Sequence, residues 1–371
     1  MARIEYQVMY GATYATMTNV ATDVQSVSLN IGRRRQLDQY NANTGSVTMR
    51  YPTGYVTPNA LWITGTYVEV KVRLDTGLYT SLFTGRITDA TVEYGIPYAG
   101  GVGNADYVTI TMESHFAEWG RLQGNNYAMP ADTYGGQLNR ASAQTGLTAG
   151  ANSQYGYFTA MPATTISSTW GDWLNKTVLT MNGRIRDIGN FISPVNQYYK
   201  FAGNHGDFSD TTNNEFFHRY EKIEFSSYAD NYYTQVNVVP ESYATQTVQT
   251  GAIPYRTYNV NTLNSSTAQA LDYATYLLST YQTPLIGIES VTCNLNMQKD
   301  KLPAYGADEV GKSVSVLFRG TTYNCILEGM TWSGTPQQSS ATFYFSAADL
   351  NNYLTLNNTV YGTLDNNKLG Y

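Results

Sequence analysis

Residues 66–74, TYVEVKVRL, place Val68, Val70, Val72 and Leu74 at every second position, with Glu69, Lys71 and Arg73 between them. A period of two follows one face of a pleated strand, so the run predicts an antiparallel strand with one face in a core and the other toward solvent. The same alternation recurs on both sides of it, in SVSLNI (26–31), GSVTMRY (45–51), SLFTGRITDATVEY (81–94) and YVTITMES (107–114), with Gly, Pro, Asn and Asp in the gaps. It returns in the last third as YEKIEFSSY (220–228), TQVNVVPES (234–242), IESVTCNLNM (288–297), KSVSVLFR (312–319), TYNCILEGMTWSG (322–334) and SATFYFSAAD (340–349). The chain is predicted to be mainly β.

Composition agrees. Of 371 residues, 33 are Tyr and 32 Gly, and charged residues make up 13%, about half the usual share. Aromatic and β-branched side chains suit half-buried pleated surfaces, while Gly and Asn supply the turns. A net charge of −6 with no basic tail argues against a protein that grips nucleic acid by neutralising phosphates. The opening MARIEYQVMYG carries no leader pattern, and no apolar run approaches the roughly 18 residues that cross a bilayer, so a soluble compartment and no membrane-spanning segment are expected.

Helical signals are few. HFAEWGRLQG (115–124) closes the first β unit with a single helical turn. In QLNRASAQTG (137–146), Leu138, Ala141 and Thr145 share a face and Gly146 is a C-terminal stop; a second helix starts near Thr169 and carries Trp170, Trp173, Leu174 and Val178 up to an Asn182-Gly183 turn. Residues 190–215 read as long loops. The clearest helix is TAQALDYATYLLSTY (267–281), with Ser266 and Gln269 as a capping box, Leu271, Ala274 and Leu278 as the apolar stripe, and Pro284 after its end.

Two stretches echo each other. VEVKVRLDTGLYTSLFTGRIT, from Val68, and VSVLFRGTTYNCILEGMT, from Val314, each read strand, Gly-bearing turn, strand, then Gly shortly before an apolar-Thr step, and each is followed by another alternating strand. They predict equivalent hairpins in two β units of one design.

Residues able to carry chemistry are scarce. Glu113, His115 and Glu118 form one conceivable metal set, and His205, Asp207 and Asp210 another, but neither has the spacing of a known metal or hydrolase motif. No GxSxG, HExxH or phosphate-loop lysine pattern is present, and the acidic residues nominate no glycosidase pair. Arg33, Arg34 and Arg35 are the densest positive charge, read either as a phosphate contact or as a solvated turn or interchain ion pair. Abundant Tyr and Trp admit a sugar-binding surface, though aromatics also fill cores and interfaces. Cys293 and Cys325 lie in strand-like runs, either as sheet neighbours able to pair or as buried apolar thiols. No catalytic, cofactor-binding or metal residue is nominated.

Four segments, SVSLNIGRRRQLDQYNANTGSVTMRY, SLFTGRITDA with YVTITMES, ALDYATYLLSTY, and the terminal AADLNNYLTLNNTVYGTLDNNKLGY, resemble the phage minor tail proteins of the trimeric baseplate-hub type. The ending is the most specific, through Gly362, Leu364, Asp365, Asn367, Leu369 and Gly370. The resemblance implies two tube-like antiparallel β-barrel domains, at 1–125 and 219–371, flanking a mixed α+β middle domain at 126–218 with long loops. It also implies a virion protein of the tail tip, assembled in the host bacterial cytoplasm and without enzymatic activity or cofactor. Its partners would be further copies of itself in a homotrimeric ring, the tail tube or distal tail protein, and fibre or tip proteins, with genomic DNA passing through the lumen. The competing readings are a receptor- or glycan-binding module, a distal tail ring protein, or a cell-wall hydrolase.

Overall fold

The structure is a computed structural model. It describes residues 3–21, 23–51, 62–95, 105–150, 160–195, 207–214, 216–226, 232–251, 253–282, 287–306 and 309–347. His205, Pro284 and the C-terminal signature from Gly362 to Gly370 lie outside the described residues.

The first third supplies seven strands: β1 (Ile4–Gly11), β2 (Thr18–Ala21), β3 (Val24–Gly32), β4 (Thr44–Tyr51), β5 (Tyr67–Leu74), β6 (Thr80–Glu93) and β7 (Asp106–Glu113). β5 shows why they form. Val68, Val70 and Val72 are at most 1% exposed, so the period-two face is the buried one. The opposite face is less wet than its charges suggest. Glu69 is buried against Lys71 at 3.2 Å, and Arg73 is bonded to Glu5 on β1.

The middle of the chain holds helices α1 (Phe116–Arg121), α2 (Tyr134–Thr145) and α3 (Trp170–Thr180), with short strands β8 (Tyr127–Met129), β9 (Asp132–Thr133), β10 (Ala160–Met161), β11 (Thr164–Ile166), β12 (Arg184–Ile188) and β13 (Phe191–Val195). Helix α2 ends as its sequence requires, with Gly146 at φ 71°. Helix α3 begins at the Thr169 cap, whose capping box closes through Asp172, and buries Trp170, Trp173, Leu174 and Val178. The predicted long loop at 190–215 is partly wrong: β13 forms a hairpin with β12, and β14 (Asp207–Ser209) enters the main sheet.

The remaining strands are β15 (Phe217–Arg219), β16 (Lys222–Ser226), β17 (Gln235–Pro240), β18 (Gln246–Gln249), β19 (Thr257–Thr262), β20 (Gly287–Asn294), β21 (Ser313–Phe318), β22 (Thr321–Gly334) and β23 (Ser339–Ala347), with helix α4 (Thr267–Tyr281) before β20. Helix α4 covers the small β18-β17-β19 sheet. Its buried face is Ala270, Tyr273, Ala274, Leu277, Leu278 and Tyr281, packed with Val236, Val238 and Val260. The predicted stripe is corrected at one end, because Leu271 is 44% exposed. The cap is also split. Ser266 accepts from the Gln269 amide, while the Gln269 side chain accepts from the Ser265 amide.

Fourteen strands make one sheet, whose main path runs β15-β14-β21-β22-β3-β4-β7-β6-β5-β1-β2, with β23, β20 and β16 branching from β22. Within it the echo becomes geometric. β3-β4-β7-β6-β5 and β16-β20-β23-β22-β21 have the same order, and every neighbouring pair in both is antiparallel. The 14-residue strands β6 and β22 occupy corresponding places, each with a bulge at the same point, Thr88 in β6 and Glu328 in β22. Counting back from the bulges matches Val68, opposite Gly85, to Val314, opposite Cys325. The glycines are not equivalent, since Gly85 precedes one bulge and Gly329 follows the other. The next strand outward also differs: β1 runs antiparallel to β5, β14 parallel to β21.

One apolar core runs through both halves and the middle helices, from Ile4 and Val70 through Trp119 and Leu174 to Trp332 and Phe343. No ring of strand pairs closes among the described residues. Cys293 and Cys325 are buried and free, opposite Ala341 and Ala347 of β23, six residues and thus roughly 20 Å apart along that strand.

Candidate functional site: a buried ionic joint

The two halves meet where β22 pairs with β3, from Gly329 opposite Gly32 to Gly334 opposite Val27. The backbones approach closely here. A Cβ on Gly32, which sits at φ 73°, would lie 2.3 Å from the Glu328 carbonyl oxygen, and one on Gly329 would lie 2.4 Å from that of Ile31. Only glycine fits at either position.

The bulge turns the extra residue, Glu328, into the core with no exposed surface. Its Oε2 accepts from Arg33 Nε at 2.9 Å, and its Oε1 from Arg184 Nε at 3.1 Å and Ser346 Oγ at 2.6 Å. Its carbonyl accepts from the Arg33 amide at 3.0 Å. Arg33 also donates to the carbonyls of Asp38 and Gly183, and its guanidinium lies 4.5 Å from the centre of the Tyr40 ring. Arg33 comes from the first third, Arg184 from the middle and Glu328 with Ser346 from the last, so the cluster fastens all three stretches at one point. Burial alone would raise the Glu328 carboxyl. Arg184, Arg33 and the Ser346 hydroxyl outweigh it and hold the group at about 2. A carboxylate held well below its ordinary range, with both oxygens engaged by buried donors, is a poor general base; its chemistry is that of a fastener.

The arginine run divides: Arg33 is buried, Arg35 is part-buried and Arg34 is exposed in the turn, as the solvated reading has it. Arg33 is in the joint, Arg35 pairs with Glu289 at 3.2 Å, and Arg34 lies 5.4 Å from the centre of the Tyr344 ring. All three contacts are made within the chain.

The first metal set does not assemble as one. Glu113 and Glu118 are both ion-paired with Arg121, and His115 is 4% exposed. Burial and the nearby Arg86 push the His115 imidazole down to about 4. Of the second set, the described members bind backbone: Asp207 accepts from the Ser315 amide within β21 and Asp210 from the Arg319 amide just past its end. No group of three or more His, Cys, Asp or Glu is placed to hold a metal among the described residues.

Sequence reasoning missed Glu328 and Arg184. A signal was present for one: Glu328 interrupts the apolar run CILEGM, where a lone charge beside a glycine needs a buried counter-ion. It also missed Asp187 on β12, which receives the Phe116 amide at 3.3 Å at the start of α1. Burial raises its carboxyl to about 6, partly offset by hydrogen bonds from Ser114 and the Phe116 and His115 amides.

No family model matches the sequence, and no curated protein matches it. Solved structures do. The 43 kDa tail protein of prophage MuSo2 from Shewanella oneidensis superposes with a TM-score of 0.60 at 10% identity, over 93% of this chain and 99% of that one. A tail protein from Neisseria meningitidis MC58 gives 0.62 at 10% identity, over 92% and 96%. A chain of the half-lidded Francisella PdpA-VgrG complex gives 0.51 at 8% identity, over 94% of this chain and 58% of that one. With the first two the likeness spans nearly the whole of both molecules, and it establishes that this chain has the fold of phage tail proteins.

Proposed function

We propose that this chain is a non-enzymatic structural component of a phage tail tip, a hub-type minor tail protein. It forms a ring around the tail axis, joins the tail tube to the tip or fibres, and leaves a channel for DNA exit. The observation that carries this reading is the repeated five-strand unit, the same in strand order, in strand direction and in the bulge between its third and fourth strands, within one chain of tail-protein fold. A chain with two like units needs only three copies to surround an axis with six, which fits the sixfold tail tube that the resemblance implies.

In this reading residues 1–125 and 219–371 are the two tube-like units, and 126–218 is the segment between them, which lends β14 and β15 to the second unit's sheet. The ionic joint sets the angle between the units within a subunit. The commitment of Glu113, Glu118 and Glu328 to arginines supports a structural rather than catalytic role. The sparse surface charge suits burial between subunits. The test is the symmetry of assembled tails: imaging of tail tips is expected to show this chain as a threefold ring on the axis.

A further inference from the structure

The repeat has one asymmetry. In β22, residues 321–326 pair with β21 and residues 329–334 continue along the same edge to pair with β3. In β6, residues 80–86 pair with β5, but past the bulge no described strand continues along that edge beside residues 89–93. The strand corresponding to β3 is β16, and it too has an open side, pairing only with β20 among the described strands. One copy therefore carries one completed joint and the two halves of a second, placed on different units. Two such edges, with six strands of the sheet between them, can meet between copies arranged head to tail.

We propose that β6 of one subunit pairs antiparallel with β16 of the next, reproducing between subunits the β22-β3 joint inside each. This rests on the ring reading above and names its contact. The bulges fix the register. Matching Thr88 to Glu328 makes Val92, Glu93 and Tyr94 equivalent to Trp332, Ser333 and Gly334. The shared partners in β4 and β20 make Ile223 and Glu224 equivalent to Val27 and Ser28; β20 bulges at Glu289, and counting on along β16 itself puts Phe225 in the place of Leu29. The in-chain pairs Trp332 with Leu29 and Gly334 with Val27 then become Val92 with Phe225 and Tyr94 with Ile223 across the interface.

The side chains suit that register. Tyr94 is 51% exposed and Phe225, whose ring rests on Phe318 and Tyr323, is 37% exposed, while Val92 and Ile223 are half-buried against the core. Pairing would extend the apolar face of one unit into the next, as Trp332 and Leu29 do within the chain. Glu93 falls opposite Glu224, whose charge is already matched by Lys222 at 2.5 Å. The occupant is thus a second copy of this chain: Val92 and Tyr94 on one edge and Phe225 and Ile223 on the other present matching apolar side chains, and the internal joint supplies the pattern.

The experiment uses cysteine pairs in the full chain, purified within assembled tails. Directly opposed residues in antiparallel strands have Cα atoms roughly 4.5–5.5 Å apart, within disulfide reach. Glu93→Cys with Glu224→Cys, both at exposed positions, is expected to convert the monomer band into covalent oligomers up to a closed trimer on mild oxidation. Either single substitution is expected to leave it monomeric, and Glu93→Cys with Lys222→Cys, two residues out of register, is expected to link far less. A threefold ring in which the 93/224 pair does not cross-link, or links no better than 93/222, overturns the strand pairing and leaves the ring intact. Tails in which the chain is not a ring overturn both.

Discussion

Replacing Glu328 with glutamine keeps the side chain's shape and removes the negative charge that two buried guanidiniums, those of Arg33 and Arg184, share. Leaving buried charges without their counter-ion costs about 3–5 kcal/mol. The carboxyl gives a second route to the figure: its fall from 4.5 to about 2 corresponds to about 3 kcal/mol of preference for the ionised form in the folded state. The two routes agree, so Glu328→Gln should lose about 3–5 kcal/mol in urea unfolding followed by tryptophan fluorescence. Arg33 keeps the carbonyls of Asp38 and Gly183 and the Tyr40 ring, which holds the loss toward the lower end. Because the folded carboxyl lies below its unfolded value, its contribution is present above about pH 4.5 and is lost as pH falls toward 2. The gap between wild type and variant should narrow over that window. Replacing Arg33, Arg184 and Glu328 together with apolar residues of similar size should cost less than the single change. A Glu328→Gln loss below about 1 kcal/mol, or a triple variant worse than the single, would refute a buried, fully engaged joint.

Gly329→Ala drives a methyl group into the Ile31 and Arg33 carbonyls, and should cost more than about 2 kcal/mol in the same assay, with no remedy from side-chain repacking. Leu278→Asp buries an unpaired charge under α4 and should lose several kcal/mol, whereas Leu271→Asp, on the exposed side of the helix, should stay within about 0.5 kcal/mol; equal effects would mean that the helix is rotated from the position described. Asp187 is raised from 3.8 to about 6, so its contribution is full below pH 3.8 and lost as pH rises through 6. Asp187→Asn should therefore gain stability relative to wild type as pH rises from 4 to 7, by up to about 3 kcal/mol. A difference that stays constant with pH would show that the carboxyl is not buried. His115, depressed to about 4, contributes in the opposite sense, which is why the comparison is made between two proteins that both retain it.

Where period-two alternation was long and clean, the strands were legible, and β5, β7, β22 and β23 lie where the pattern puts them. The hairpin echo from Val68 and Val314 was legible for the same reason, and the bulges show it to be in register. Short strands such as β8 to β11 were not, because two or three residues carry no period and their pairing is decided by tertiary contacts. Strand β1 was overlooked in IEYQVMYG, where tyrosine and methionine stand in for the branched residues of a clearer strand. Helix α4 was found, but its stripe was drawn through Leu271 because leucine outweighs alanine and tyrosine in a hydrophobicity count. The sheet it packs on keeps Ala274 and Leu278 of that stripe and takes Ala270, Tyr273 and Leu277 in place of Leu271. The ionic joint was the least legible feature. Arg33, Arg184 and Glu328 are scattered over 295 positions, and only the bulge at Glu328 and the glycines beside it bring them together.

The central claim is a ring built from two like units per subunit, and the number and arrangement of copies in the assembled tail tests it most directly. Image reconstruction of isolated tail tips without imposed symmetry is predicted to show three copies on the axis, with the unit holding β3 to β7 and the unit holding β16 to β23 alternating around the channel. Six copies contributing one unit each, or a copy away from the axis, would contradict it.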